Sequence, residues 1–248
     1  MKLTDHISMV GGGQYSAGLS SDYDGGVFLV RVARQRWLVD AGSGYDSRPL
    51  HTAVRNELAG EPLDGIAITH SHSDHAGGAK SLSAEFGCKV YASGETSRRM
   101  ASRDVEAVAA DSAIRAGIYP ADYRFGWLEN VKALHTTGPT ELANNHGESF
   151  IALPTPGHSN DHMCYVLEVS GSKFAFTGDL IFARGRVSLL GTDDCNIGAL
   201  VQSVSLLSSV NPDAILPGHG TVVMNGARWH IDRALKAFDH GQVPANFA

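Results

Sequence analysis

Residues 70–75 bring four side chains that commonly bind metal ions into one short stretch. The stretch reads His-Ser-His-Ser-Asp-His and begins where an apolar run ends. Imidazole and carboxylate groups suit a borderline divalent ion such as zinc. In extended backbone His70 and His72 point to the same side, so both can bind one ion, while Asp74 and His75 follow at a turn and could face a second. A polar loop that is rich in histidine by coincidence is the less favoured interpretation.

Three later segments each place a ligand-type residue directly after a glycine at the end of an apolar run. The glycine allows a tight turn, so the next side chain can project into a cleft. A single Pro-Gly-His tripeptide is a weak signal and is often only a turn. Two of them plus a Gly-Asp, in this order after the histidine cluster, form a strong one. The segments end at His158, Asp179 and His219.

Together with Asp40, these residues resemble the five sequence motifs of the metallo-β-lactamase-fold superfamily. The resemblance extends from about Val27 to Thr221, most of the chain, with the motifs in the family's order. It implies an α/β fold, a four-layer αββα sandwich with a dinuclear metal site at one edge of its two sheets. It also implies that Asp40 is a buried carboxylate behind the ligands.

The resemblance further implies a role for each ligand-type residue. Two divalent ions would be the cofactors, most simply Zn²⁺, with iron or manganese as alternatives. Asp179 would bridge both ions, and it would share the catalytic role with Asp74. The other first-metal ligands would be His70, His72 and His158, and the other second-metal ligands would be Asp74, His75 and His219.

The charge of such a site suggests a mechanism. Bound to zinc, water ionises with a pKa of about 7 instead of about 15.7, so a hydroxide nucleophile exists at neutral pH. The hydroxide between the metals would attack a carbonyl carbon, and the metals would stabilise the oxyanion that develops. The leaving group would either lie by the second metal or receive a proton from a nearby acid, such as the water released onto Asp74. We therefore expect a metal-dependent hydrolase that cleaves a small ester, lactone, thioester or amide.

Details of the motifs favour one branch of the superfamily. β-Lactamases of this fold generally carry a non-bridging residue where Asp179 stands, which argues against a dedicated secreted β-lactamase. Glyoxalase II enzymes share the seven-ligand pattern but add a long helical region, whereas only a short segment follows Gly220. Lactonases of this fold have a similar length and the Pro-Gly-His-Ser sequence found at residues 156–159. A lactonase-like hydrolase is the interpretation that we favour.

Two other classes of function stay open. A mononuclear iron oxygenase similar to persulfide dioxygenases would use His70, His158 and Asp179 as a facial triad. Metal analysis would separate it from a hydrolase, as one iron rather than two zinc-like ions. A non-catalytic scaffold with a structural metal ranks last, because a closed structural site does not need seven ligands and a bridging carboxylate.

Composition limits the partners and the organisation of the chain. A length of 248 residues with 43% hydrophobic residues suits a single domain spanning 1–248. The net charge of −6 predicts no nucleic-acid partner, and the absence of an apolar run of about 18 residues predicts no membrane span. Three widely spaced cysteines favour free thiols and a cytoplasmic location. We expect a small-molecule substrate and leave a homodimer open.

Residues 95–147 form the least regular part of the sequence, an insert that we expect to act as a lid over the site. It contains a predicted helix at residues 96–116 and an aromatic segment, Tyr119–Trp127, that could line a substrate pocket. The alternative is that these aromatic rings only fix the segment on the core. His162 follows the third motif and could orient a ligand, touch the substrate or be merely nearby.

Elsewhere the chain alternates between strand and helix patterns, as in a layered α/β sandwich. The predicted helices span 49–58, 76–86, 199–208 and 228–238. The predicted strands span 27–32, 36–39, 65–69, 89–92, 149–153, 163–169, 173–177 and 213–216.

Overall fold

The structure, a computed structural model, describes residues 1–247 and contains two β-sheets. Within each sheet, neighbouring strands follow one another directly in the chain. The first sheet consists of β1 (Ile7–Gly11), β2 (Val27–Val32), β3 (Gln35–Val39), β4 (Gly65–Ala67), β5 (Lys89–Ser93) and β6 (Val131–Leu134). The second consists of β7 (Thr140–Asn145), β8 (Glu148–Pro154), β9 (Met163–Val169), β10 (Ser172–Gly178) and β11 (Ala214–Pro217).

Strand direction brings several strand ends to the same edge of each sheet. In the first sheet, β3 to β6 run parallel to one another. In the second sheet, β8 and β10 flank the antiparallel β9 and therefore share a direction, and β11 is parallel to β10. The carboxyl ends of β8, β10 and β11 consequently meet at one edge, where loops from all three can contribute to one site.

Helices cover the outer faces of the sheets. They are α1 (Arg48–Leu58), α2 (Ser73–Ala76), α3 (Ala79–Phe86), α4 (Gly94–Ser102), α5 (Ala110–Arg115), α6 (Ile197–Val210) and α7 (Ala227–Asp239), with a short 3₁₀ turn at Ala183–Gly185. No helix within residues 1–247 combines the length and the apolar character that crossing a membrane requires.

Three apolar layers hold the fold together. The sequence of β2 shows how, because its side chains alternate between two of these layers. Phe28 packs between the sheets with Phe150 and Phe176. Leu29 belongs to the outer core between the first sheet and its helices, together with Leu50 of α1. Each such fully buried side chain contributes about 1.5–3 kcal/mol to the free energy of unfolding. The third layer joins the second sheet to α6 and α7, so the predicted four-layer αββα sandwich is confirmed.

Several element boundaries differ from the sequence prediction. The helix predicted at residues 96–116 is wrong, because the chain turns at Arg103 with a left-handed φ of 60° and forms the separate helices α4 and α5. The helix predicted at 76–86 begins earlier, at Ser73, and is divided into the two helices α2 and α3. The strand predicted at 65–69 ends at Ala67. The sequence prediction also lacks β1, β6 and β7. Strands β6 and β7 are half-exposed and contain no apolar run, and β1 is a buried strand of five residues that runs into a glycine-rich segment.

The aromatic segment Tyr119–Trp127 packs onto the first sheet's outer core. The rings of Tyr119 and Tyr123 stack with centroids 4.3 Å apart, and both side chains are buried. The Tyr123 hydroxyl donates a hydrogen bond of 2.9 Å to the carbonyl of Ser43. This packing supports the alternative that the rings fix the segment on the core, and a lid role for residues 95–147 stays a prediction.

Candidate metal centre

The ligand-type residues follow strands that end at one edge of the sandwich. His70, His72, Asp74 and His75 lie in the loop after β4 and at the start of α2. His158 follows β8, Asp179 follows β10 and His219 follows β11.

Two glycines let these loops approach one another closely. A Cβ atom on Gly178, whose φ is +46°, would lie 2.6 Å from Nε2 of His162. A Cβ atom on Gly218 would lie 2.4 Å from the His75 ring and 2.6 Å from the carboxylate of Asp179. Space therefore requires glycine before both Asp179 and His219, and the left-handed φ of Gly178 favours glycine at the first of these positions as well.

A first group of three nitrogens converges from His70, His72 and His158. Nδ1 of His72 lies 3.0 Å from Nε2 of His70 and 3.0 Å from Nε2 of His158, and all three side chains are buried. Ligands bound to zinc at about 2.0–2.1 Å in tetrahedral geometry lie about 3.4 Å from one another. The three nitrogens are thus close to the spacing that one such ion would impose.

A second group consists of Asp74, His75 and His219. Oδ2 of Asp74 lies 2.9 Å from Nε2 of His219 and 3.4 Å from Nε2 of His75. The side chain of Asp74 is 24% exposed and that of His219 is 14% exposed, so this group faces the open side of the site.

Asp179 lies between the two groups. Its Oδ1 is 3.4 Å from Nε2 of His75, and its Oδ2 is 3.6 Å from Nε2 of His219 and 3.7 Å from Nε2 of His158. One carboxylate therefore reaches both groups, as a bridging ligand must. The structure brings together all seven residues in three overlapping sets, and their binding of metal stays a prediction: His70, His72, Asp74, His75, His158, Asp179 and His219.

The surroundings of these donors fit divalent ions. Nδ1 of His75 lies 2.8 Å from Oδ2 of Asp40, and Nδ1 of His158 lies 3.1 Å from the carbonyl oxygen of Ser188. Because both partners accept hydrogen bonds, each ring carries a proton on Nδ1, which leaves Nε2 as the atom that can bind a metal, as in metal-binding histidines.

The buried side-chain atoms of residues 1–247 that lack a hydrogen-bond partner include two candidate metal donors, Nε2 of His75 and Oδ1 of Asp179. An unsatisfied buried polar atom costs about 1–3 kcal/mol of stability. A cation bound between these atoms would remove that cost, so the residues present fit the group that the fold implies.

Asp40 supports both groups from behind. It is buried, and its carboxylate accepts hydrogen bonds from the backbone N–H and hydroxyl of Thr69 as well as pairing with His75. The Thr69 hydroxyl in turn lies 3.0 Å from Nδ1 of His70. Asp40 is buried as predicted, and it lies behind residues whose role as ligands stays a prediction.

The electrostatics of the two groups are opposite. Burial lowers the pKa of His70 well below its ordinary value and that of His72 to about 4, so both rings are neutral at pH 7. Burial also disfavours charge on His75, but Asp74, Asp179 and Asp40 outweigh it and raise the pKa of His75 well above its ordinary value. The carboxylates thus favour a protonated, positively charged His75 in the second group. A bound cation could supply the same positive charge.

His162 supports Asp179. Its Nε2 accepts a hydrogen bond of 3.1 Å from the backbone N–H of Asp179, and its Nδ1 lies 3.0 Å from the hydroxyl of Thr155. Burial lowers the pKa of His162 to about 3, so the ring is neutral and can accept this hydrogen bond. Of the alternatives left open for His162, the geometry favours orientation of a ligand.

Sequence reasoning missed a buried polar network beneath the His70–His72 turn. Asp161 accepts hydrogen bonds from the backbone N–H of Ser71, at 2.9 Å, and from the hydroxyl of Thr96, at 2.8 Å. Arg99 lies beside it and donates to Asp194 at 2.8 Å. The pattern Ser-Asn-Asp after His158 carried no recognisable signal, because Asp161 acts on a backbone amide that any residue could provide.

The chain has relatives among curated proteins. A lactamase-like protein of Pestalotiopsis microspora is 25% identical over 207 residues, which cover 80% of this chain and 50% of that protein. An atrochrysone carboxyl ACP thioesterase of Aspergillus fumigatus is also 25% identical, over 79% of this chain and 37% of its own length. The chain thus spans half or less of the length of these two fungal relatives.

Solved structures and family comparison agree on the fold. A metallo-beta-lactamase superfamily protein from the archaeon Sulfolobus tokodaii matches with a TM-score of 0.70, over 93% of this chain and 85% of that one, at 19% identity. An identity this low supports the fold alone. The family model of the metallo-beta-lactamase superfamily matches residues 24–219, which include all seven donors. The chain therefore belongs to the metallo-beta-lactamase superfamily.

Proposed function

We propose that this protein is a dinuclear metal-dependent hydrolase that cleaves a small ester, lactone, thioester or amide with water. The observation that carries the proposal is the position of Asp179, whose carboxylate lies within 3.7 Å of nitrogens from both donor groups. A single ion would use this carboxylate with one donor group only, whereas two ions can share it. When bound, two divalent ions lower the pKa of water and polarise a carbonyl oxygen.

The chain's own residues divide the remaining work according to their exposure. His70 and His158 are buried and hold the closed side of the site, whereas Asp74 and His219 lie on the side from which substrate can approach. His75 and His219 keep the carboxylate of Asp74 ionised by holding its pKa well below the ordinary value, against the effect of burial. Asp74 is therefore ionised and can accept a hydrogen bond from the attacking water, which positions that water and its proton near the leaving group.

The balance of the reaction needs no covalent enzyme intermediate. The water oxygen forms a bond to the carbonyl carbon, the bond between that carbon and the leaving oxygen, sulfur or nitrogen breaks, and the proton moves to the leaving atom. Among the acyl substrates we place thioesters and lactones first. The relative named as a thioesterase supports the former, and the Pro-Gly-His-Ser sequence at residues 156–159 supports the latter.

Metal analysis combined with a substrate panel tests the proposal. Protein purified without chelator should contain about two divalent ions per chain and hydrolyse at least one lactone, thioester, ester or lactam. Activity should disappear after dialysis against a chelator and return with Zn²⁺. His240→Ala serves as the control, because His240 is exposed and remote from the donors in sequence. Full activity in metal-free protein would refute the proposal, and one iron per chain with oxygen consumption would favour the oxygenase alternative.

A further inference from the structure

Residues 245–247 are attached by hydrogen bonds beside the open side of the metal centre. The backbone N–H of Phe247 donates to the carbonyl of Val187 at 2.7 Å, and the N–H of Val187 donates to the carbonyl of Ala245 at 3.2 Å. These bonds form a short parallel bridge between two irregular segments. The 245–247 segment is thus fixed to the chain that follows the Asp179 loop.

Side chains strengthen this attachment. The amide of Asn246 accepts from the backbone N–H of Leu189 and donates to its carbonyl, both at 3.0 Å. The guanidinium of Arg186 donates to the carbonyl of Asn246 at 2.7 Å. The intervening residue, Ser188, provides the carbonyl that pairs with His158. The 245–247 segment is therefore bound to the stretch around Ser188, which supports the metal-ligand candidate His158.

The attachment holds the ring of Phe247 beside His219. The Phe247 ring stacks on the buried ring of Phe182 with centroids 4.4 Å apart, and it lies nearly parallel to the His219 ring at 6.0 Å. The guanidinium carbon of Arg186 lies 4.8 Å from the centre of the same ring. Phe182 is buried, but Phe247 is only half-buried. The partly buried Phe247 thus lies beside a donor candidate, His219, that is itself 14% exposed.

We propose that Phe247 is a specificity-determining residue, which forms an apolar wall of the substrate site beside His219. The wall would accept the apolar part of an acyl group and limit its length, while Asn246 and Arg186 hold the wall in place. This inference rests on the proposed hydrolase function, because it assigns the acyl portion of that substrate to a particular side of the site.

Variants that shorten, enlarge or release the wall test the inference. Phe247→Ala should raise KM for short acyl chains by about tenfold and shift the preference to longer chains, since a missing apolar contact costs about 10-fold or more in discrimination. Phe247→Trp should shift the preference to shorter chains. Asn246→Ala should act in the same direction as Phe247→Ala, because it releases the segment. Val243→Ala is the matched control, since Val243 is exposed and precedes the attached segment.

Two further measurements separate the possible failures. Metal content and melting temperature show whether each variant keeps its ions and its fold, so that a change in preference can be assigned to the wall. Calorimetric binding of butanoate, hexanoate and octanoate to the zinc-loaded protein gives the same length profile without turnover. A shifted binding profile in protein that hydrolyses nothing would support the wall and refute the hydrolase. An unchanged profile in Phe247→Ala, Phe247→Trp and Asn246→Ala, with metal and fold intact, would overturn the inference.

Discussion

The two donor groups of the metal centre differ in how firmly the protein holds them. In the first group, His70 and His158 are buried, and the outer nitrogen of each ring has a partner in Thr69 or Ser188. In the second group, His75 is buried and paired with Asp40, but His219 is 14% exposed and its buried Nδ1 has no hydrogen-bond partner among residues 1–247. Outer partners fix the orientation of a metal ligand and raise its affinity. The first group should therefore bind an ion more tightly, and the second should exchange ligands with substrate.

The difference originates in the strands that carry the donors. His70 and His72 follow the central strand β4. The backbone beside them is fixed, because Asp40 accepts a hydrogen bond from the N–H of Thr69 and Asp161 accepts one from the N–H of Ser71. His219 follows β11 at the edge of the second sheet, and the next residue, Gly220, donates a backbone hydrogen bond to the carbonyl of Tyr15. A central position thus provides support on several sides, and an edge position leaves one side for substrate.

Removing the shared carboxylate should have the largest effect, because it belongs to both groups. Asp179→Asn should weaken binding of both ions and lower kcat/KM on the order of a thousandfold or more, which corresponds to a loss of about 4 kcal/mol in transition-state stabilisation. Elemental analysis and steady-state kinetics measure both effects. Asp193→Asn is the control, because Asp193 is exposed. Loss of one ion alone would contradict a bridging position.

Variants of single donors should separate the groups. We expect His219→Ala to retain about one ion per chain and to lose more activity than the 10–100-fold typical of removing an outer partner. In the wild type, a graded chelator titration should remove ions in two steps, and His219→Ala should lack the weaker step. His158→Ala should lack the tighter step. A single step in the wild type, or the reverse assignment, would break the proposed ranking of the two groups.

His162→Ala should have an intermediate effect. Because His162 supports Asp179 through a backbone N–H and does not point at the donors, activity should fall by about 10–100-fold with both ions still bound. The pH–rate profile should keep its limb near neutral pH, since His162 is neutral throughout that range. Disappearance of that limb at full metal content would show that His162 acts as a base.

Proton release on metal binding should distinguish the groups at pH 7. In the metal-free protein the raised pKa of His75 leaves that ring protonated, whereas the lowered pKa values of His70 and His72 leave those rings neutral. The second ion should thus release more protons than the first, because the pKa of His219 is raised as well. Its affinity should therefore fall as pH falls below the raised pKa. Calorimetry in buffers of different ionisation enthalpy measures this release, and equal release in both steps would contradict the electrostatic difference.

The smallest expected effect lies in the aromatic segment. Tyr123→Phe removes the hydrogen bond to Ser43 and should lower the free energy of unfolding by about 1 kcal/mol, with kcat and KM unchanged. Thermal denaturation and kinetics across acyl chain lengths measure the two quantities. A change in chain-length preference without a change in stability would instead support the lid role predicted for residues 95–147.

The donors could be predicted from the sequence, but most of their supports could not. The side-chain types of His70 to His75, and the glycines before Asp179 and His219, carry chemical information that composition and order reveal. Ser188 contributes only a backbone carbonyl, which every residue has, and Asp161 pairs with a backbone amide. The break at Arg103 had no signal either, because neither glycine nor proline marks the turn.

The close approach at Gly178 and Gly218 has a consequence for how this site tolerates change. Neither residue offers a functional group, yet an added methyl group would meet His162 at the first position, and His75 and Asp179 at the second. In a saturation scan of the chain, both positions should reject even alanine and rank with the histidines in sensitivity. The empty space beside these two glycines is therefore as necessary to the site as the rings that occupy its surroundings, and a side chain that filled the space would displace them.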